Sequence, residues 1–508
     1  MFDIFDRGVE ESKREVYSSL EELEVRLGEL QREMKAAGIP TVVVFEGWSA
    51  SGKGTMIGRL IRSLDPRGFK VYSMTKPTDE ERRFPQMRRY WLNLPSNGNI
   101  SVFDRSWYRC IDFKEGKKLK EEDEENIYKI LDFESQLTDE GYLLIKFFLH
   151  ISSEEQKKRF NKLKSVKSTE WRVKKSDLKQ NGNYVKVYRM LCELFDRTNT
   201  AAAPWHVVNT SDRDTASITM YSIMISAMER ALEQKSRGLR VNPERIGVKC
   251  PVHPQVSVSL SDVDLSQKVA DGDYKKRLKA LQDRLFVLQN ELYRRKIPLI
   301  IAYEGWDAAG KGGNIHRITQ ALDPRGYEVL PIGSPTPDEK QRHFLWRFWT
   351  RLPKDGHTAI FDRTWYGRVL VERIEGFCTE DEWKQAYDEI NRFEYSLTSF
   401  GAIVVKFWLH IDKDEQERRF MERMNTPEKQ WKITDEDWRN RAKWDIYEEC
   451  VDDMVVKTST PKAPWILVSG NDKYYARIQV LETVVEAIEK RLEEEKKKEL
   501  LEKAKEED

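Results

Sequence analysis

The chain has 508 residues, and at about 150 residues per domain that length allows roughly three domains. A hydrophobic fraction of 39% suffices for a large core, while a charged fraction of 34%, above the ~25% of an average soluble protein, gives a heavily ionic surface. The 87 basic and 86 acidic residues nearly cancel, which excludes a uniformly basic nucleic-acid coat and leaves polyanion binding to local segregation of charge.

At the start of the chain, MFDIFDRGVEESKREV becomes charged before any apolar leader can form, and TVVVF and PLIIAY are far shorter than the ~18 apolar residues of a membrane span. The five cysteines (Cys110, Cys192, Cys250, Cys378, Cys450) are scattered without a CxxC pair, against both a disulfide framework and a zinc site. A soluble cytoplasmic protein is the expectation.

The chain then repeats itself. EGWSASGKG at Glu46 returns as EGWDAAGKG at Glu304, LDPRG at Leu64 returns at Leu322, and FDRSWY at Phe103 returns as FDRTWY at Phe361, each 258 positions on. KFFLHI at Lys146 and APW at Ala203 return 260 positions on, at Lys406 and Ala463, so the second copy holds two extra residues between Tyr366 and Gly376. A period this long is a duplicated domain, since solenoid units run only ~20–50 residues. Two domains are expected, residues 1–245 and 246–508, joined by the Pro-, Gly- and Ser-containing stretch GLRVNPERIGVKCPVHPQVSVSLSD, a connector or small strand pairing.

Within each copy helical and apolar strand patterns alternate. In the second, the helix pattern YKKRLKALQDRLFVLQNELYRRK precedes IPLIIAYEG, and HTAIFD, AIVVKFWLHI and PWILVSG follow with helical segments such as DKDEQERRFMERM between them. Short apolar runs closed by Gly suit buried parallel strands, so the class is α/β, a parallel sheet with helices on both faces. The C-terminal EKRLEEEKKKELLEKAKEED reads as a solvated helix.

Residues 305–311, GWDAAGK, fit GxxxxGK and stand between a strand and a helix, where glycines turn backbone N–H groups toward phosphate oxygens and the helix N-terminus adds positive charge. Gly312 and Gly313 follow Lys311 in place of the Ser or Thr that usually helps hold Mg²⁺, so Asp307 and Asp362, at the end of TAIFD, are the candidate metal carboxylates. Residues 340–368 carry seven Lys/Arg against two acids. A helix over EKQRHFLWRFWTRL would line up His343, Arg347 and Arg351 as a cationic stripe, with Phe344, Phe348 and Leu352 as an apolar one. RTWYGRVLVERIEGF, with Arg363, Arg368 and Arg373 between Gly367 and Gly376, reads as a lid whose arginines stabilise a transferring phosphoryl group.

These motifs, GWDAAGKG, LDPRG, HFLWR, FDRTWYGRVLVER and WKITDEDW, closely resemble the second family of polyphosphate kinases, and both copies align to it. The resemblance implies a fold related to thymidylate kinase, a requirement for Mg²⁺, and phosphoryl transfer between inorganic polyphosphate and a nucleotide. For a fused two-copy chain it implies ADP formation from AMP. By position it places catalytic roles on Asp307, Lys311, Asp362, Arg363, Arg368, Glu372 and Arg373. Phosphate or nucleotide contacts fall on Gly305, Ala308, Ala309, Gly310, Lys311, Gly312, Arg325, His343, Arg347 and Arg351, and Mg²⁺ on Asp307 and Asp362.

The first copy departs from this pattern. Ser49 stands for the loop aspartate, Phe84, Pro85 and Asn93 for Arg342, His343 and Arg351, and DRSWYRCIDFKEG lacks the VER element, although Lys53, Asp104 and Arg105 remain. That half is expected to be catalytically silent, with residual phosphate affinity from six arginines against two acids over residues 81–109. A polyphosphate-dependent nucleoside diphosphate kinase, an ATP-dependent nucleoside monophosphate kinase and a non-catalytic polyphosphate binder are the alternatives; no nucleic acid or membrane partner is expected, and homo-oligomerisation stays open.

Overall fold

The computed structural model describes residues 19–112, 119–255, 258–270 and 272–507. The opening segment read against a leader, residues 1–16, and the 113–116 end of DRSWYRCIDFKEG lie outside the described residues. Two compact units divide the chain: Met1–Thr78, Met87–Val248 and Thr336–Trp346 form one, and Asp79–Gln86, Lys249–Pro335 and Arg347–Asp508 form the other. Each unit thus takes in a short segment from the other's stretch of sequence.

The first unit runs α1 (Leu20–Ala36), β1 (Thr41–Gly47), α2 (Lys53–Arg62), β2 (Phe69–Ser73), β3 (Ile100–Asp104), α3 (Glu121–Asp139), β4 (Leu143–His150), α4 (Ser153–Lys164), α5 (Lys175–Gly182), α6 (Tyr184–Thr198), β5 (Trp205–Asn209) and α7 (Arg213–Ser236). Its strands are all parallel, in the order β2-β3-β1-β4-β5. Leu23, Leu27, Leu30 and Met34 of α1 recur at helical spacing and are buried in one cluster with Val43 and Phe45 of β1 and with Met220, Met224 and Met228 of α7.

The second unit repeats the arrangement with α8 (Asp273–Arg295), β6 (Leu299–Gly305), α9 (Lys311–Thr319), β7 (Tyr327–Pro331), β8 (Thr358–Asp362), α10 (Val371–Glu375), α11 (Glu380–Ser399), β9 (Ile403–His410), α12 (Lys413–Met424), α13 (Asp435–Ala442), α14 (Trp444–Thr458), β10 (Trp465–Ser469) and α15 (Lys473–Glu507). Its parallel order is β7-β8-β6-β9-β10. The central strands β6 and β9 are buried along nearly their whole length, as covering on both faces of a parallel sheet requires. Connections from β6 run to one side, through β7 and β8, and then cross to β9. The carboxyl ends of β6 and β8 therefore border the switch point where open α/β sheets bind ligands.

The connector holds a 3₁₀ turn, Leu260–Asp262, and no strand among its described residues; residues 256–257 lie outside them. Pro243, Pro251 and Pro254 lack the N–H that a ladder needs. The helix expected over EKQRHFLWRFWTRL is also absent; only a 3₁₀ turn, Glu339–Gln341, and one helical turn, Trp346–Trp349, remain. Arg342 is extended and the Leu345 amide donates to His343 Nδ1 at 3.1 Å, a local side-chain bond that replaces the helical ladder. Among the described residues no helix is long and apolar enough to cross a membrane.

Candidate active site

The register of β6 against β8 builds the site. Tyr303 pairs with Asp362, and the Arg363 amide donates to the Tyr303 carbonyl at 3.0 Å, so the strand end bearing Asp362 and Arg363 sits beside the start of the loop. Gly305 closes β6 at φ +145°, and a Cβ there would lie 2.7 Å from the Leu409 carbonyl oxygen, so the turn into the loop admits glycine alone. Ala308 and Arg363 hold left-handed conformations, φ 63° and 65°, a strain of the kind that concentrates at functional sites. Gly310, at φ 110°, caps α9, whose N-terminus brings the positive end of the helix dipole to the loop.

Lys311 donates its Nζ hydrogens to the carbonyls of Gly305 and Trp306 at 2.6 and 3.3 Å. Burial lowers its pKa, with the charges of Asp307 and Asp362 acting in the opposite sense. The Asp307 carboxylate accepts from Asn440 Nδ2 at 2.9 Å and from Arg363 Nη2 at 3.4 Å. Beneath the loop, buried Glu304 accepts from the backbone amide and hydroxyl of Thr364 at 2.8 and 2.7 Å, and burial raises its pKa.

Two clefts share this loop and differ in chemistry. One is lined by Gly305, Trp306, Asp307, Arg363, Leu370, Val371, Trp408 and Tyr447, with the carboxylates of Glu304 and Glu436: aromatic and apolar walls around an acidic floor. Its wall is braced by Trp306, which stacks on Trp444 with ring centroids 3.7 Å apart. The other is lined by Ala308, Ala309, Gly310, Gly313 and Asn314, with Arg419, Arg423, Lys429, Lys473 and Arg477 against the single acid Glu422, and no aromatic ring.

The loop residues expected to contact phosphate, Gly305 and Ala308 to Gly312, together with Asp307, Lys311, Asp362 and Arg363, converge here. Others do not. Arg325 is 89% exposed and paired with Asp323 at 2.7 Å in the turn Pro324–Gly326. His343 belongs to the first compact unit, its ring 5.2 Å from that of Trp91, and with the helix gone His343, Arg347 and Arg351 form no stripe. Arg368 pairs with Glu372 at 3.3 Å. Arg373 stacks on Trp383, its guanidinium 4.0 Å from the ring centroid, and donates to Tyr387 and Asp453 at 2.9 Å each.

The fold and loop place the chain among known proteins. The model of one family, Polyphosphate kinase 2, matches residues 10–236 and again 268–497. This chain belongs to the polyphosphate kinase 2 family. It is 41% identical over 462 residues to the polyphosphate:AMP phosphotransferase of Pseudomonas syringae pv. tomato, covering 90% of this chain and 92% of that one. To the polyphosphate:AMP phosphotransferase of Pseudomonas aeruginosa it is also 41% identical, over 96% of this chain and 99% of the relative. A crystal structure assigned to polyphosphate kinase 2 from Pseudomonas aeruginosa PA01 superposes with a TM-score of 0.83 at 39% identity, covering 97% of this chain and all of that one.

Against this family background the site also contains groups that sequence reading did not single out. Glu304 stood in plain view in the repeated EGW. Asn440, Gln416 and the cations of α12 and α15 lie more than 100 positions from the loop, and only the fold brings them to it. The first unit keeps the frame, with Lys53 Nζ 2.9 and 3.0 Å from the Gly47 and Trp48 carbonyls and Arg105 at φ 67°, but carries Leu163, Thr169 and Ser217 at the positions of Arg423, Lys429 and Arg477.

Proposed function

We propose that this chain transfers a phosphoryl group from inorganic polyphosphate to AMP, forming ADP, and that the second half, residues 246–508, performs the reaction while residues 1–245 are catalytically silent. The observation that carries the reading is the chemical division of the two clefts at one loop. A groove lined by five cations and no ring suits a chain of phosphates better than a donor nucleotide. The cleft walled by Trp306, Trp408 and Tyr447 suits a nucleotide acceptor. Both named relatives are polyphosphate:AMP phosphotransferases by designation, which supports the same donor and acceptor.

The chemistry asks little of covalent catalysis. A phosphate monoester loses its second proton near pH 6, so an AMP oxygen is already an anion at neutral pH and requires no general base. As that oxygen bonds to the terminal phosphorus of the chain, the bridging P–O bond breaks and polyphosphate leaves one unit shorter. Lys311, Arg363 and the α9 amides are placed to hold the transferring group and offset its spread charge. Among the described residues no cluster of three or more His, Cys, Asp or Glu could hold a metal. The pair Asp307 and Asp362 suits Mg²⁺, which takes one or two carboxylates and completes its shell with phosphate oxygens and water. When bound, Mg²⁺ would neutralise charge on the reacting phosphates. The five cysteines, none of them in a disulfide, support placement in the reducing cytoplasm.

The test supplies the purified chain, Mg²⁺ and AMP with either polyphosphate or ATP and follows ADP by chromatography. ADP should form with polyphosphate; turnover with ATP alone would overturn the donor assignment. In the polyphosphate assay Lys311→Ala should lose about 10³ in rate, the size of effect seen when a transition-state donor is removed.

A further inference from the structure

The two copies of the loop are held in the same way at the backbone and in different ways at the side chain that matters. In the second unit Gln416 Nε2 donates to the Asp307 carbonyl at 3.1 Å, and in the first its counterpart Gln156 donates to the Ser49 carbonyl at 3.0 Å. Beyond that bond they part. Asn440, on α13, donates through Nδ2 to Asp307 Oδ2 at 2.9 Å. At the corresponding place, 260 positions earlier, stands Gln180, one methylene longer. Gln180 Oε1 passes the side chain of residue 49 and accepts from its backbone amide at 3.1 Å, while Ser49 Oγ donates to Asp177 at 2.8 Å.

We infer that Asn440 is a positioning residue, one that aims the Asp307 carboxylate at Mg²⁺ and the reacting phosphates, and that Gln180 marks the disabled form of the same device. The inference rests on Asp307 being a metal-facing carboxylate. The amide is oriented, not free to flip. Its Nδ2 faces a carboxylate that can only accept, and its Oδ1 lies 3.5 Å from the Tyr447 hydroxyl, a donor that burial and the charge of Asp307 keep protonated. Without Asn440 the remaining hydrogen-bond partner of the carboxylate among the described residues is Arg363 Nη2 at 3.4 Å, a long contact on a side chain that is itself half-exposed. A carboxylate fixed by one short amide bond is preorganised; one held by a single long contact must be ordered when the metal arrives, and that cost appears in the metal affinity.

The measurement is Mn²⁺ binding to the full chain in the presence of ADP, read by electron paramagnetic resonance against a protein-free ADP blank. Alongside it, the Mg²⁺ concentration for half-maximal rate and the thermal unfolding midpoint are recorded. Asn440→Ala should weaken Mn²⁺ by about tenfold or more, the usual cost of losing a residue that orients a metal ligand, and raise the Mg²⁺ requirement in step while the midpoint stays parental. Asn440→Gln should fall with it, because the longer side chain reaches the backbone amide as Gln180 does, and it answers the same question should the alanine variant fail to fold. Parental Mn²⁺ affinity in both Asn440 variants overturns the inference. Parental affinity in Asp307→Asn overturns instead the assignment of Asp307 as a metal carboxylate, so the two failures are told apart.

Discussion

His410, at the end of the strand beside the loop, is a residue whose protonation the fold decides. It is 6% exposed, Trp306 Nε1 donates to its Nδ1 at 3.0 Å, and burial pushes its pKa down to about 4. The folded form therefore resists the proton that the unfolded chain accepts near pH 6.5. Because the folded-state value is the lower one, stability is unaffected above about pH 6.5 and is lost as pH falls from there toward 4, by a total of order 1–3 kcal/mol. His410→Asn keeps an acceptor for Trp306 and cannot titrate. Its unfolding midpoint should decline less steeply than the parent's between pH 6.5 and 4, and superimposable profiles would show that this proton is not what the fold resists. The run AIVVKFWLHI marks His410 as lying in a buried strand, but the donor to its Nδ1, an indole 104 positions away, was not legible in it.

Between elements, a lysine inside an apolar strand makes a buried tie. Lys406 of β9 is wholly buried, yet it donates at 2.8 Å to Glu394 of α11, to the Tyr366 hydroxyl and to the Thr458 carbonyl at the end of α14. Glu394 accepts in turn from Trp365 Nε1 and the Tyr366 hydroxyl. The network pins two helices and the 3₁₀ turn after β8 to the strand whose Leu409 backbone supports the loop. Lys146, Glu134, Tyr108, Trp107 and Thr198 rebuild it in the first unit. Lys406→Met should cost about 3–5 kcal/mol because it leaves Glu394 charged, buried and unbalanced. Adding Glu394→Gln, which still accepts from both ring donors, should recover part of that loss in chemical denaturation; no recovery would mean that packing, and not charge, sets the cost. KFFLHI and KFWLHI showed this lysine twice, since a charge in a run of buried apolar residues demands a partner. The partner itself was invisible, twelve positions back on a helix with many acids. Periodicity likewise suggested a helix over residues 339–352, where the chain instead turns extended at Arg342 and the Leu345 amide bonds to His343 Nδ1, a competition that local propensity does not reveal.

For the molecule as a whole, the repeat made the most legible: two α/β units, the position of each loop, and the convergence of Asp307, Lys311, Asp362 and Arg363, all of which follow from strand order once the strands are recognised. What it could not yield was the cationic groove, whose members sit on α12, α15 and the turn between α12 and α13. That depends on packing across long separations. The same repeat supplies the sharpest test of the division of labour. Lys53 and Lys311 are both buried lysines donating to the carbonyls of their own loops, and burial lowers the pKa of each, so as isolated side chains they are equivalent. What surrounds them is not: the first loop lacks the aspartate, and three groove cations are Leu163, Thr169 and Ser217. If turnover belongs to the second unit, Lys53→Ala in the full chain should leave the rate of ADP formation close to parental, while the same change at Lys311 removes about 10³ of it. Equal losses from the two substitutions would mean that both loops turn over substrate, and the silent first half would have to be given up.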